Sequence, residues 1–236
     1  MTLPPTEDAP VAPDPLADPE YRAAVVDLLG VLAYGELSAF ERLGSDAALA
    51  PTLAERAEVA AMACAEFGHF VRLQQRLLEL GQDPEEAMRP FVAPLEAFHA
   101  STSPADWYEG LVKAFVGDSI AADFYREIAQ HLDPTTRALV VEVFEDTGHS
   151  AFVVEKVRAA ITADPRLGGR LALWGRRLLG EALSQAQRVA AERDTLTALL
   201  VGGVDRPGVD LVELGRMFTR MTEAHARRME SLGLAA

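Results

Sequence analysis

The sequence predicts an all-α protein: two helical hairpins joined by a long crossover into a four-helix bundle, then two further helices at the C-terminus. Three observations predict it. Apolar residues recur at three-to-four-residue spacing over most of the 236 positions. No stretch shows the two-residue alternation of a half-buried strand, and β-branched clusters are few. Proline and glycine fall between the periodic stretches and divide them into lengths suited to a bundle.

Residues 1–19 hold six of the fourteen prolines and four acids, a composition that builds neither a core nor a helix, so this segment is expected to be a disordered tail. The first helix is expected from about Pro19 to Leu43, on the stripe Val25, Leu29, Leu32, Phe40, Leu43, and ends at Gly44-Ser45-Asp46. Thr52 with Glu55 three residues on is a capping box that opens the second helix. It carries Val59, Met62, Leu73 and Leu77 and stops at Gly81. Four prolines (84, 90, 94 and 104) interrupt the next segment, which reads as a long connection with one short helix in it. The third bundle helix runs from Pro104 to Leu132 on Leu111, Phe115, Ala122, Tyr125 and Leu132. Asp133-Pro134 is an N-cap with proline at the first helical position and opens a fourth helix to about Ala163. Amphipathic helices over Pro165–Val201 and Gly208–Leu232 form the C-terminal pair, so the expected domains are 20–163 for the bundle and 164–236 for the pair.

Composition narrows the function. The net charge of −14 repels nucleic acid unless basic residues cluster. The two Arg-dense segments, Arg166–Arg177 and Arg216–Arg228, are expected to be solvated helix faces or a subunit contact, as in a homodimer. One cysteine, Cys64, fits a reducing compartment and excludes an internal disulfide framework. No run of 18 uninterrupted apolar residues and no secretory leader is visible, so the expected location is cytoplasmic, without a membrane partner.

Each of the four bundle stripes has a carboxylate that does not belong in an apolar core: Glu36, Glu66, Asp118 and Asp146. Glu66 and Asp146 are each followed three residues later by a histidine, His69 and His149, on the same face. Leaving an ionised carboxylate in an apolar interior costs several kcal/mol, so such groups pair, protonate or bind metal. No Lys or Arg is expected mid-stripe near them. Two divalent cations neutralise four carboxylates while neutral imidazoles complete the coordination.

The spacing of acid and histidine is weak evidence alone. Acids are 36 of 236 residues, so fewer than one of the five histidines should have an acid three positions upstream by chance; three do. One is Glu96-x-x-His99 in the crossover, expected to be solvated or locally capped. His131 and His225 lack the spacing and are expected at the surface or at helix ends. An internal repeat lifts the other two. Gly35-Glu36 matches Gly117-Asp118, and Glu66-Phe67-Gly68-His69 matches Asp146-Thr147-Gly148-His149, at offsets of 82 and 80. The midpoint of 36 and 66 is Pro51 and that of 118 and 146 is Leu132, both in the hairpin turns, so antiparallel helices bring each pair of acids level. Cys64 and Tyr125 are expected in the core, and Gly68 and Gly148 are expected to allow close helix packing or to leave free space beside the metals.

An acid, an acid-x-x-His, a second acid and a second acid-x-x-His on four helices resemble the ferritin-like superfamily of carboxylate-bridged di-iron proteins. Residues 24–162 are most similar to its tRNA 2-methylthio-isopentenyl-adenosine hydroxylase-like family. The resemblance implies that Glu36, Glu66 and His69 serve one half of the site and Asp118, Asp146 and His149 the other, with one acid-x-x-His carboxylate from each half bridging the two irons. Asp at both second-half positions departs from the usual Glu and is one methylene shorter, so the helices must approach more closely or the metals sit off-centre. The implied activity is an O₂-activating monooxygenase or hydroxylase with two iron ions (manganese being the alternative metal), an organic substrate and an electron donor. The acidic surface favours a small molecule over tRNA. Met62, Phe40 and Ala122 are expected to line the substrate pocket. A ferroxidase or iron-handling protein, and a helical binding module with structural metals such as zinc, are the competing functions.

Overall fold

The computed structural model describes residues 14–144, 149–201 and 211–235. The elements in order are α1 (Pro19–Asp46), α2 (Leu53–Glu79), α3 (Pro84–Ser101), α4 (Trp107–Ala129), α5 (Pro134–Val143), α6 (His149–Ala163), α7 (Pro165–Glu192), α8 (Asp194–Val201) and α9 (Leu211–Ser231). Among the described residues there is no strand. The expected all-α bundle, with its long crossover and added C-terminal helices, is the architecture of the described residues.

The helix starts follow from local chemistry. Asp18, Thr52, Asp83, Asp106, Asp133 and Asp164 each accept a backbone N–H of the first turn they precede, satisfying donors that a helix cannot satisfy itself. Thr52 also donates its hydroxyl to Glu55 Oε2 at 2.8 Å. Residues 14–18, which composition assigns to the tail, form a 3-10 turn capped by Asp14, and Leu16 packs on the core. The first thirteen residues lie outside the described set.

Several boundaries differ from expectation for physical reasons. The crossover is not a proline-broken loop but the 18-residue helix α3, with Pro90 and Pro94 inside it. An interior proline removes a hydrogen bond and costs about 3 kcal/mol. Here Phe91, Ala87 and Pro94 are buried, and packing on α1 outweighs that cost. The fourth bundle helix is described as α5 and α6, with 145–148 outside the described residues. The expected helix from Pro165 to Val201 breaks at Arg193, which leaves helical geometry (φ −131, ψ 85). Its guanidinium turns onto the buried carboxylate of Asp27 in α1, where the Thr195 hydroxyl also donates.

Two hydrophobic clusters form the interior. One gathers Leu28, Leu29 and Leu32 of α1 with Leu73, Leu77, Phe91 and Ile128; the other gathers Leu43, Met62, Leu111, Val116, Leu171 and Met229. Phe124 packs against both. Among the described residues α1 is the helix long and apolar enough to cross a bilayer by length and composition. Val25, Leu28, Leu29 and Leu32 are at most 1% exposed, so that apolarity is used inside the bundle.

Within the Arg-dense segments three arginines hold the C-terminal helices to the bundle. Arg170 pairs with Asp106 and Glu109, Arg220 meets Glu127 at 2.8 and 2.9 Å, and Arg228 grips Asp123 at 2.6 and 2.7 Å. These planar, two-pronged contacts tie α7 and α9 to α4. Trp174 adds an indole N–H to the Glu109 carbonyl at 2.9 Å.

Gly30 marks the closest helix approach, because a Cβ there would stand 2.2 Å from the Ala87 backbone oxygen. Gly30→Ala should therefore lower the melting temperature although alanine favours a helix by about 1 kcal/mol. Gly180→Ala, where nothing lies within 4 Å, should raise it. Thermal denaturation of the two variants side by side checks this; equal shifts would refute it.

Candidate metal centre

Glu36 sits mid-way along α1 and is 5% exposed. The short turn after Asp46 sends α2 back antiparallel, which brings Glu66 and His69 to the depth of Glu36. His69 Nδ1 lies 3.2 Å from Glu36 Oε2 and 3.4 Å from Glu66 Oε2. One ligand atom from each of the three residues lies within 4.8 Å of the others. Glu66 and His69 are three residues apart, so they share a helix face as the spacing demands.

The electrostatics are those of a site short of positive charge. Burial, and then the neighbouring Glu66 carboxylate, push Glu36 well above the usual carboxylate range, against the pull of His69. Burial opposes a charged His69, but hydrogen bonds to Glu36 and Glu66 outweigh it and hold the imidazole up at about 9. The three donor atoms thus gather protons where a divalent cation would replace them. Two carboxylates and an imidazole suit Fe, Mn or Zn, so the donor set fits a transition-metal ion.

Asp118 belongs to the same region without joining that triad. Gly110 of α4 sits against Asp46 of α1, and Tyr125 of α4 feels the Glu36 charge, so the two helices run antiparallel. From the Gly110–Asp46 contact, Glu36 is about 15 Å back along α1 and Asp118 about 12 Å on along α4, which puts them near one level. Both line one cavity, together with Glu66. Asp146 lies outside the described residues. His149 opens α6, and its side chain is not described.

The cavity has a volume of about 310 Å³, in the range of small-molecule sites. It lies where the two clusters meet, walled by Leu28, Leu32, Ile120, Phe124, Ile128 and Phe144. Tyr125 also faces it, stacked on Phe144 with ring centroids 5.1 Å apart, and burial raises its phenol. Met62, Phe40 and Ala122, expected to line the pocket, do not: Met62 packs in the second cluster, Phe40 on its edge and Ala122 in the first. The cavity is lined instead by residues of α1, α4 and α7, and the later helices add Leu196 of α8 and Phe218 of α9 to its wall.

Other expectations fail for local reasons. Cys64 is exposed and not a core residue. His225, expected at the surface, is 3% exposed, with neither ring nitrogen bonded among the described residues. His99 is not solvated: it lines the cavity, and burial with the cations Lys113 and Arg42 brings it down to about 4. Gly68 is exposed with nothing within 4 Å, so it serves no close contact, and Gly148 lies outside the described residues. Contrary to the expectation of no basic residue nearby, Lys113 is 7% exposed in α4, five residues before Asp118, and lines the cavity with Arg42 and Asp46. The sequence holds a signal for it: one of only two lysines stands inside the apolar run Leu111-Val112-Lys113-Ala114-Phe115-Val116.

The family described as "Ferritin-like domain, actinomycetes" matches residues 19–203. No curated protein matches the sequence. Among solved structures, a protein from Synechococcus described as having aldehyde deformylating oxidase activity is 21% identical and superposes with a TM-score of 0.69, covering 94% of each chain. It shares the fold.

In the metal-free protein, His69 at about 9 in the folded state stands above the ordinary 6.5, so the native form binds more protons than the unfolded form between those values. Stability then falls as pH rises from 6.5 through 9, and the raised Glu36 acts in the same sense above its ordinary 4.5. Melting curves of chelator-treated protein should show this fall, and Mn²⁺ or Fe²⁺ should flatten it. A melting temperature indifferent to both pH and metal would overturn the centre.

Proposed function

The chain belongs to the actinomycete ferritin-like domain family, and from that premise we propose that it is a di-iron oxidoreductase, an O₂-activating monooxygenase or hydroxylase of a small organic substrate. One observation supports the reading: buried Glu36 meets half-buried Glu66 and His69, and both glutamates line an apolar cavity large enough for a small molecule. Glu36, Glu66 and His69 would hold one metal ion, and Asp118, Asp146 and His149 the other. Bound iron would supply the electrons and open coordination positions that couple reduction of O₂ to oxidation of a substrate bond.

The protein's own part is positioning and exclusion. Leu32, Ile120, Phe124 and Ile128 keep bulk water from the carboxylates and present an apolar wall to a substrate. The Tyr125 phenol, held neutral by burial, is a hydrogen-bond donor on that wall. Glu36 and His69 hold protons that metal loading displaces. The fold shared with an aldehyde deformylating oxidase is consistent with oxidative chemistry in such a bundle.

A transfer RNA substrate is disfavoured, because the net charge is −14 and three arginines of the C-terminal helices (Arg170, Arg220 and Arg228) are engaged with acids of α4 and its cap. The cavity favours this reading over iron storage and structural metals, which have no need of an apolar chamber.

Protein from iron-supplemented cells should carry close to two irons per chain and consume O₂ after reduction. Glu66→Ala and Asp146→Ala should abolish both iron loading and turnover, a larger loss than the about 10–100-fold that follows removal of an outer partner of a metal ligand. Retained turnover in either variant refutes the proposal. Accumulated ferric mineral would point to iron handling, and redox-silent zinc to a structural role.

A further inference from the structure

One end of the cavity gathers polar groups that the metal centre does not use. Lys113 is 7% exposed, its Nζ lies over the Phe98 ring at 5.7 Å from the centroid, and among the described residues it has no hydrogen bond or close ion pair. Arg42 pairs through Nη2 with Glu96 at 2.8 Å, but its buried Nε has no partner. The Ser38 hydroxyl donates to the Gly35 carbonyl, so the His99 Nε2–H, 3.1 Å away, donates to Ser38, and the buried Nδ1 keeps an unpartnered lone pair. Lys113, Arg42 and His99 all line the cavity.

Lys113 thus keeps an ammonium on the cavity lining, in a mostly buried side chain and without a direct partner, which is costly. Asp46 faces the same space and is drawn on by both cations without touching Lys113, while Glu96 is already held by Arg42 and Tyr34. Burial, with Arg42 adding to it, brings the Lys113 amine down to about 8 against the pull of Asp46. A carboxylate answers this end of the cavity: its oxygens accept from Lys113 Nζ, and the Arg42 guanidinium on the same lining adds a second positive charge. An alcohol offers one oxygen and cannot meet both cations with charge.

The position fits a head group held away from the carboxylate centre. Lys113 precedes Asp118 by five residues on α4 and Arg42 follows Glu36 by six on α1, an axial separation of about 7–9 Å. Between the two levels the cavity is lined by Ala39, Ala114 and Gly117, whose small size leaves the path open, and no atom lies within 4 Å of where a Gly117 Cβ would be.

We propose that the Lys113 end of the cavity is a head-group subsite, and, on the reading that the centre is an oxygenase, that its substrate is a monocarboxylate whose apolar body reaches the metals while its carboxyl stays at Lys113 and Arg42. The chemistry then falls on the chain of the substrate and not on its carboxyl carbon.

The test is binding of decanoate and decanol to the full chain, as purified and after chelator treatment, by calorimetry. Chelated wild-type protein should bind decanoate at least about tenfold tighter than decanol. Lys113→Met should lose about tenfold for decanoate and leave decanol within about twofold, which also shows that the variant is folded. Lys113→Arg should recover most of the loss. Equal binding of the two probes by wild-type protein, or decanoate binding indifferent to Lys113→Met, overturns the subsite. If Lys113-dependent binding is found in protein that loads no iron, the subsite stands and the oxygenase reading fails. If iron loads normally and Lys113 is indifferent, the reverse holds.

Discussion

The burial of Glu36 among leucines is the constraint from which the rest of the structure follows. A carboxylate 5% exposed in a core helix has to be answered by something. In the metal-free chain it is answered by protons and by His69, with Glu66 drawn into the same group. An apolar residue at position 36 would pack with less penalty, so this arrangement costs stability that a bundle without function would not forgo. The hairpin turn, the depth of α2 and the face shared by Glu66 and His69 all serve to bring partners to that one oxygen pair.

The elements added to the bundle give the centre its surroundings. Helix α3 packs on α1 tightly enough that Gly30 cannot carry a side chain without displacing backbone. Helices α7 and α8 close over α1 through Arg193 and Thr195 on Asp27, and α9 is held to α4 by Arg220 and Arg228. Because these helices lean on the bundle at its edges, the space between α1, α4 and α7 is left as an apolar chamber and not filled by side chains. The chamber has carboxylates along its length and a basic group at one end, an asymmetry that gives a bound molecule a preferred direction.

Part of the site was legible because it depends on local periodicity. Glu36, Glu66 and Asp118 interrupt apolar stripes, and the acid-x-x-His repeat marks two helices as a pair, so a helix period alone places these residues on inward faces. Lys113 shows the limit of that logic. It stands in an apolar run as plainly as the acids do, yet one lysine among 22 basic residues has no repeat to set it apart. His99 was legible as a motif and was expected to be solvated or locally capped, whereas it lines the cavity, because the prolines around it hid a helix that packing on α1 sustains.

The sequence by itself determined several helix starts, the first antiparallel hairpin and the level at which Glu36 meets Glu66 and His69, since capping residues and a 1.5 Å rise per residue act within one or two helices. Only the tertiary structure decided where the cavity opens, which arginines are engaged, that α7 breaks at Arg193, and that His225 is buried while Cys64 is not. Those outcomes depend on contacts between residues tens to more than a hundred positions apart, such as Asp27 with Arg193 and Asp123 with Arg228. A helical period says which face of a helix is apolar. It does not say which neighbour covers that face, and the choice of neighbour is what leaves a chamber beside Glu36.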